Sequence, residues 1–254
     1  MTFRKCRRAV ALAWALIMCM ARLALARARG PLTPVRRALW LQSACRGVLS
    51  SIGVKWRVAG AVPSHGLVVS NHLSYLDIGV YSAVMPCVFV SKAEVRRWPY
   101  FGMAARAGGT IFLDRASRAS AAAAASEMSA RLNLPVPVLL FPEGTSTDGS
   151  QVMRFHSALF QPVVNAGAPV TAAAVWYSAE SVPESALSWF GDEAFLPNLW
   201  KVLGTRHVTA EVRFADPRTY PDRRTAATAA HSEVAAMRLV AGQAPAAEEM
   251  RAGR

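Results

Sequence analysis

The sequence predicts an α/β fold: a single mixed sheet of about seven strands flanked by helices, with an N-terminal membrane-associated helical segment. Three observations carry this. From residue 54 onward, short apolar runs alternate with helix-forming stretches. The first 76 residues hold 12 Lys and Arg, no Asp or Glu, and long apolar runs between the charges. Polar clusters fall where the apolar runs end, which is where reacting groups collect in open α/β sheets. With 254 residues, 53% of them hydrophobic, the chain can bury the core of one large domain. The expected division is 1–52 for basic, apolar membrane-associated helices, 53–240 for the α/β domain, and 241–254 for a small, polar, flexible tail.

Residues 9 to 21 are uninterrupted apolar and flanked by Arg4, Lys5, Arg7 and Arg8, and Arg22 then breaks the run. That is short of the roughly 20 residues a spanning helix prefers. A signal peptide ending in Ala24-Leu25-Ala26 and a tilted span with Arg22 reaching the interface both fit. The preferred reading is an uncleaved anchor, spanning or lying in the interface. Residues 35 to 52 read as a second helix, set apart by Pro31 and Pro34, with Leu39, Leu41, Cys45, Val48, Leu49 and Ile52 near helical period. Its Arg36, Arg37 and Arg46 would meet lipid head groups if the stripe lies on a membrane, or solvent if it packs on the core.

Candidate strands follow at Val54–Val58, Leu67–Ser70, Cys87–Val90, Thr110–Leu113, Val136–Phe141, Val170–Trp176 and Val208–Phe214. Arg118 to Leu132 is Ala-rich and helix-forming. Trp189, Phe190, Phe195, Leu196, Leu199 and Trp200 would border an apolar substrate tunnel, rest on a membrane, or fill core. Lys92, Arg96 and Arg97 read as a solvated basic face or as part of an anion site.

The densest chemistry is Asn71-His72-Leu73-Ser74-Tyr75-Leu76-Asp77, directly after an apolar strand. An imidazole acts best as a base on a hydroxyl when an acceptor holds its second nitrogen, and Asp77 is within reach if the turn folds back. The pair has no nucleophile of its own, which suits direct attack by a substrate hydroxyl or amine on an activated acyl group. Ser74 with Asp77 three residues on also fits a helix capping box. Gly109-Thr110-Ile111-Phe112-Leu113-Asp114-Arg115 and Phe141-Pro142-Glu143-Gly144-Thr145-Ser146 end two further strands.

These three blocks together resemble the glycerolipid acyltransferase family, which includes 1-acyl-glycerol-3-phosphate acyltransferases. Its blocks are a His, four residues and an Asp; a Gly followed six later by an Arg; and Glu-Gly-Thr, usually with Arg next. All three occur here in order, across roughly residues 50 to 215. The resemblance implies His72 as general base and Asp77 as its orienter. It implies Arg115 as the holder of an anionic head group, a task suited to a forked guanidinium. Asn71, Glu143, Gly144, Thr145 and Ser146 are implied in acceptor binding, with Pro169-Val170 in the place of a weak fourth block. Ser146 departs from the family, since Arg is usual there, and shifts anion recognition onto Arg115 or onto Arg154 and His156 just beyond.

The expected reaction moves a fatty acyl group from acyl-CoA or acyl-carrier protein to the free hydroxyl of a lysolipid. The acceptor expected first is 1-acyl-glycerol-3-phosphate; Ser146 motivates lyso-ornithine lipid as the alternative. No metal or bound cofactor is expected, the acyl carrier being a co-substrate. Cys6, Cys19, Cys45 and Cys87 show neither disulfide nor zinc spacing. Expected partners are membrane lipids, the lysolipid and the acyl carrier, at the cytoplasmic face of the inner or plasma membrane. Nucleic acid is not expected, because 12 of the 13 excess positive charges lie among apolar runs in the first 76 residues. A non-catalytic lipid-binding protein is the alternative of another class, and binding alone needs no base.

Overall fold

The computed structural model describes residues 2–114 and 116–241. Seven strands form one sheet: β1 (Val54–Ala59), β2 (Leu67–Ser70), β3 (Val88–Lys92), β4 (Ile111–Leu113), β5 (Val138–Leu140), β6 (Val170–Ser178) and β7 (Val208–Phe214). Their order is β1-β7-β6-β2-β5-β3-β4, parallel throughout except for the β6–β7 pair. The mixed α/β fold is therefore as predicted, and each of the seven predicted strands is present. The central strands read as unbroken apolar runs because helices cover both of their faces, so no solvent-facing residue interrupts them. β2 is buried at all four positions.

Two cores lie on opposite faces of the sheet. On β2, Val68 joins one core, whereas Leu67 and Val69 join the other. The Val68 side is covered by α2 (Pro34–Ile52), α3 (Leu76–Val84) and α7 (Phe195–Gly204), which contribute Leu49, Val80 and Leu203. The opposite side is covered by α5 (Arg118–Leu132), α6 (Gln161–Asn165) and α8 (Arg223–Ala241), with Met128, Val163 and Val234. β2 and β5 are neighbours, yet β2 leads to α3 on one face and β5 leads to α6 on the other. Their carboxyl ends thus flank a topological switch point, where open α/β sheets bind ligands.

The first helix, α1 (Thr2–Ala28), is continuous through Arg22 and long and apolar enough to cross a membrane. It exposes Phe3, Val10, Trp14, Ile17 and Leu25, while Cys19 and Leu23 pack against α2. α2 packs on the core: Trp40, Leu41, Leu49 and Ile52 are buried, and Leu39, expected in the apolar stripe, is exposed. α2 also approaches α4 (Phe101–Gly108) closely, since a Cβ on Gly108 would lie 2.9 Å from Leu41 Cδ2.

The N-terminal arginines meet helix ends. Arg46 Nε donates to Ala83 O of α3 at 2.8 Å, and Arg37 Nη1 donates to Arg106 O and Ala107 O of α4. Arg4 donates to Gly204 O, and Arg8 to Leu203 O and Thr205 O, at the end of α7. The last carbonyls of a helix lack intrahelical partners and carry partial negative charge, so a guanidinium satisfies both needs. Arg37 and Arg46 therefore do not point at head groups. Of the expected tail 241–254, residues 242–254 lie outside the described residues.

Candidate active site

Each predicted block stands at a strand end, and two of them meet. The turn after β2 folds back so that Asp77, in the first turn of α3, reaches the backbone and ring of the residues before it. Asp77 Oδ2 accepts from His72 Nδ1 at 2.7 Å, from Leu73 N at 2.7 Å and from Ser74 N at 3.0 Å. The orienting contact is thus present, and of the capping box only the Asp77 half forms: Ser74 Oγ accepts from Leu76 N at 3.3 Å, and the Asp77 N–H bonds the Ser74 backbone oxygen instead. Because a carboxylate only accepts, Nδ1 carries the proton and Nε2 is left as the basic nitrogen. No described residue hydrogen-bonds Nε2. Asp77 is fully buried and His72 is 21% exposed, so the acid is inside and the imidazole reaches the surface. The imidazole lies flat on Phe141, with ring centroids 4.1 Å apart and planes at 15°. Phe141 follows β5, so the two strands of the switch point together fix the ring.

Glu143, also after β5, binds backbone on both sides. Its Oε2 accepts His72 N–H at 3.0 Å and its Oε1 accepts Met153 N–H at 3.0 Å. With 5% exposure and both oxygens engaged, the carboxylate turns inward and presents neither oxygen outward to an acceptor. Burial pushes its pKa up to about 7, outweighing the two hydrogen bonds that favour the charged form. Gly144 has φ of 77°, and its N–H closes a turn onto Phe141 O. In that left-handed conformation a Cβ is disfavoured, so this turn needs glycine. Thr145 is exposed. Ser146 Oγ donates to Trp189 O at 2.6 Å, and its hydroxyl is occupied in holding that loop.

Asn71 sits behind the ring. Its Nδ2 donates to Val175 O at 2.9 Å, and its Oδ1 accepts Val175 N–H at 3.0 Å. The β2–β6 ladder ends at Ser70–Ala173, and the Asn71 amide continues it one step further, at 2% exposure. Arg115 lies outside the described residues. Arg154, His156, Lys92, Arg96 and Arg97 are exposed.

Several contributors were not named from the sequence as site residues. Tyr177 Oη donates to Asp77 Oδ1 at 2.5 Å. Trp189 N–H binds Leu73 O and Thr147 N–H binds His72 O, so both carbonyls of the turn are held by later loops. Trp189 packs edge-on against Tyr75, Trp98 and Phe195, forming an aromatic wall beside the turn. The aromatic content of residues 189–200 signalled that wall; a lone Tyr in an apolar strand signalled nothing.

A strand-end imidazole hydrogen-bonded to a buried acid, with no hydroxyl or thiol hydrogen-bonded to its other nitrogen among the described residues, is an arrangement that suits a group-transfer enzyme. Comparison with known proteins agrees. The family model described as Acyltransferase matches residues 56–176. The chain is 32% identical to a lyso-ornithine lipid O-acyltransferase of Pseudomonas aeruginosa, over 73% of this chain and 71% of that one. It is 33% identical to a 1-acyl-sn-glycerol-3-phosphate acyltransferase of Neisseria meningitidis, over 66% and 68%. It is 37% identical to a lyso-ornithine lipid O-acyltransferase of Rhodobacter capsulatus, over 75% and 72%. The crystal structure of PlsC, the 1-acyl-sn-glycerophosphate (LPA) acyltransferase of Thermotoga maritima, shares the fold with a TM-score of 0.67 at 18% identity, covering 96% of this chain and 100% of that one. The chain belongs to the acyltransferase family and is an O-acyltransferase.

Proposed function

We propose that the protein transfers a fatty acyl group from acyl-CoA or acyl-carrier protein to the free hydroxyl of a lysolipid, with His72 as general base. The observation that carries this reading is the His72–Asp77 pair, with Nδ1 held at 2.7 Å and Nε2 free of described partners. Nε2 takes the hydroxyl proton as the oxygen attacks the thioester carbonyl. The tetrahedral oxyanion collapses, the carbon–sulfur bond breaks, and the departing thiolate takes the proton from the imidazolium. Asp77 holds the ring and offsets its transient positive charge. Thr145 stands exposed next to the ring's turn as the block residue open to substrate.

Between the two acceptors, the residues favour lyso-ornithine lipid. Position 146, where the family usually carries a cation, holds a serine whose hydroxyl is bound to Trp189 O, and two of the three relatives above are named for that acceptor. The second reading, 1-acyl-glycerol-3-phosphate, is favoured by the Neisseria relative and by Arg115 if it alone holds the phosphate. The enzyme works on a membrane through α1, at the face where acyl thioesters are held; docking of Arg4 and Arg8 on α7 supports a helix that stays with the domain. Membranes containing the protein, given labelled acyl donor with lyso-ornithine lipid and lysophosphatidate in parallel, test the assignment. Faster product from lyso-ornithine lipid supports it; faster product from lysophosphatidate selects the second reading; product from neither rejects both.

A further inference from the structure

Asp77 receives four hydrogen bonds, and they are unevenly shared. Oδ2 takes three, all from the adjacent turn, at His72, Leu73 and Ser74. Oδ1 takes one, from Tyr177 Oη, a hundred residues further along the chain. A carboxylate held through one oxygen can still turn about its Cβ–Cγ bond; a second fixed donor on the other oxygen removes that freedom.

Tyr177 is built to be that fixed donor. It is 3% exposed on β6, and the strand around it is tied at two points. Two residues upstream, Val175 is held by both ends of the Asn71 amide. The Tyr177 backbone N–H itself donates to Glu184 Oε1 at 2.7 Å, and Arg238 holds Glu184 in turn. Burial, with Asp77 beside it, drives the Tyr177 pKa upward, so the phenol keeps its proton and remains a donor.

We infer that Tyr177 is a positioning residue of the transfer reaction, its hydroxyl fixing the plane of Asp77 and, through it, the tautomer and basicity of His72. This rests on the reading of His72 as base. A donor on Oδ1 draws charge from the carboxylate. Without it, Asp77 would pull harder on the His72 proton and stabilise the imidazolium, so the acid limb of the pH–rate profile would move to higher pH. The groups facing Asp77 and His72 are Tyr81 on α3, Glu143 after β5, Tyr177 on β6, with Glu184 and Arg238 behind them. Of these, Glu143 titrates near neutrality, so its contribution must be separated.

The test uses the full chain in membranes, with Tyr177→Phe, which keeps the ring, and with 3,5-difluorotyrosine at position 177, a stronger donor of nearly the same shape. Tyr177→Phe is expected to lower kcat about tenfold, the scale of one charge-assisted hydrogen bond, with the acceptor KM unchanged. Its acid limb should move to higher pH, and that of the fluorinated protein to lower pH. In an Asp77→Asn background the Tyr177→Phe loss should vanish, because the two act through one contact. The displacement should persist in Glu143→Gln if it belongs to His72. Wild-type kcat and an unmoved acid limb in both Tyr177 proteins would overturn the inference, as would full additivity with Asp77→Asn. Wild-type turnover in His72→Ala would instead remove the reading of the base itself.

Discussion

Arg238 of α8 grips the Glu184 carboxylate with both terminal nitrogens, at 2.9 and 2.6 Å. The same guanidinium donates to Val175 O at 3.1 Å and to Gly149 O at 2.6 Å. One side chain from the last helix thereby joins β6 to the loop that follows Glu143, behind the His72–Asp77 turn. Arg238→Met should destabilise the fold by about 2–4 kcal/mol, because it leaves a largely buried carboxylate unpaired. Gly149→Ala should act in the same direction: its φ is 86°, and an added Cβ would lie 2.6 Å from Glu184 Oε2 and 2.7 Å from Arg238 Nη2. Denaturant titration measures both, and unchanged midpoints would contradict the account.

Asn71 completes the sheet where β2 stops. Asn71→Ala strands the Val175 N–H, and Asn71→Asp sets a carboxylate against the Val175 carbonyl at a position 2% exposed. Each should cost about 1–3 kcal/mol, the penalty for an unsatisfied or opposed buried polar group. Each should also lower kcat more than it raises the acceptor KM, because the amide touches backbone instead of substrate. A variant whose only defect is a raised KM would place Asn71 in the acceptor site instead.

Glu143 makes stability depend on pH with a defined sign. Its folded pKa, about 7, stands above the ordinary carboxyl value of 4.5, so the folded state binds more protons than the unfolded state between those values. Its contribution is therefore fully present below pH 4.5 and is lost as pH rises to about 7, a change on the order of 3 kcal/mol. Glu143→Gln should flatten this dependence. It should also cost stability at every pH, since one amide oxygen cannot serve both the His72 and Met153 N–H groups. Urea midpoints measured from pH 5 to 8 for both proteins read out the two effects.

The arginine contacts at helix ends give a further expectation. Arg8→Met removes the donor to Leu203 O and Thr205 O, and each such cap is worth about 0.3–1 kcal/mol. Combined with Arg4→Met it should loosen α1 from α7, seen as faster amide exchange in residues 2–10 with the sheet unaffected. Unchanged exchange there would show that α1 is held by its apolar contacts alone.

The sheet was legible because strands covered on both faces must be continuous apolar runs, as β2, β5 and most of β6 are, while β7 alternates buried and half-buried residues and was legible from that period. Their ends were less so. β5 is Val138–Leu140 where 136–141 was expected, because Pro137 has no N–H to give a ladder and Phe141 already turns toward His72. The His72–Asp77 pair was legible because both members lie in one turn. The direction of Asn71 and Glu143 was not: they were expected to face the acceptor, and they face Val175, His72 and Met153 backbone, which only the pairing of distant strands brings near. Tyr177 and Arg238 act across 100 and 54 residues and leave no local pattern. The N-terminal arginines pointed to a membrane by composition, yet composition carries no information on which helix ends will sit beside them.

The most direct test of the central claim is acyl transfer by His72→Ala against wild type, with labelled acyl donor, the preferred lysolipid, and membrane binding and folding checked alongside. The account predicts a fall of about 100- to 10,000-fold in kcat with the fold and membrane association intact. Turnover within a few-fold of wild type would contradict it, and would take His72, and with it Asp77 and Tyr177, out of the chemistry.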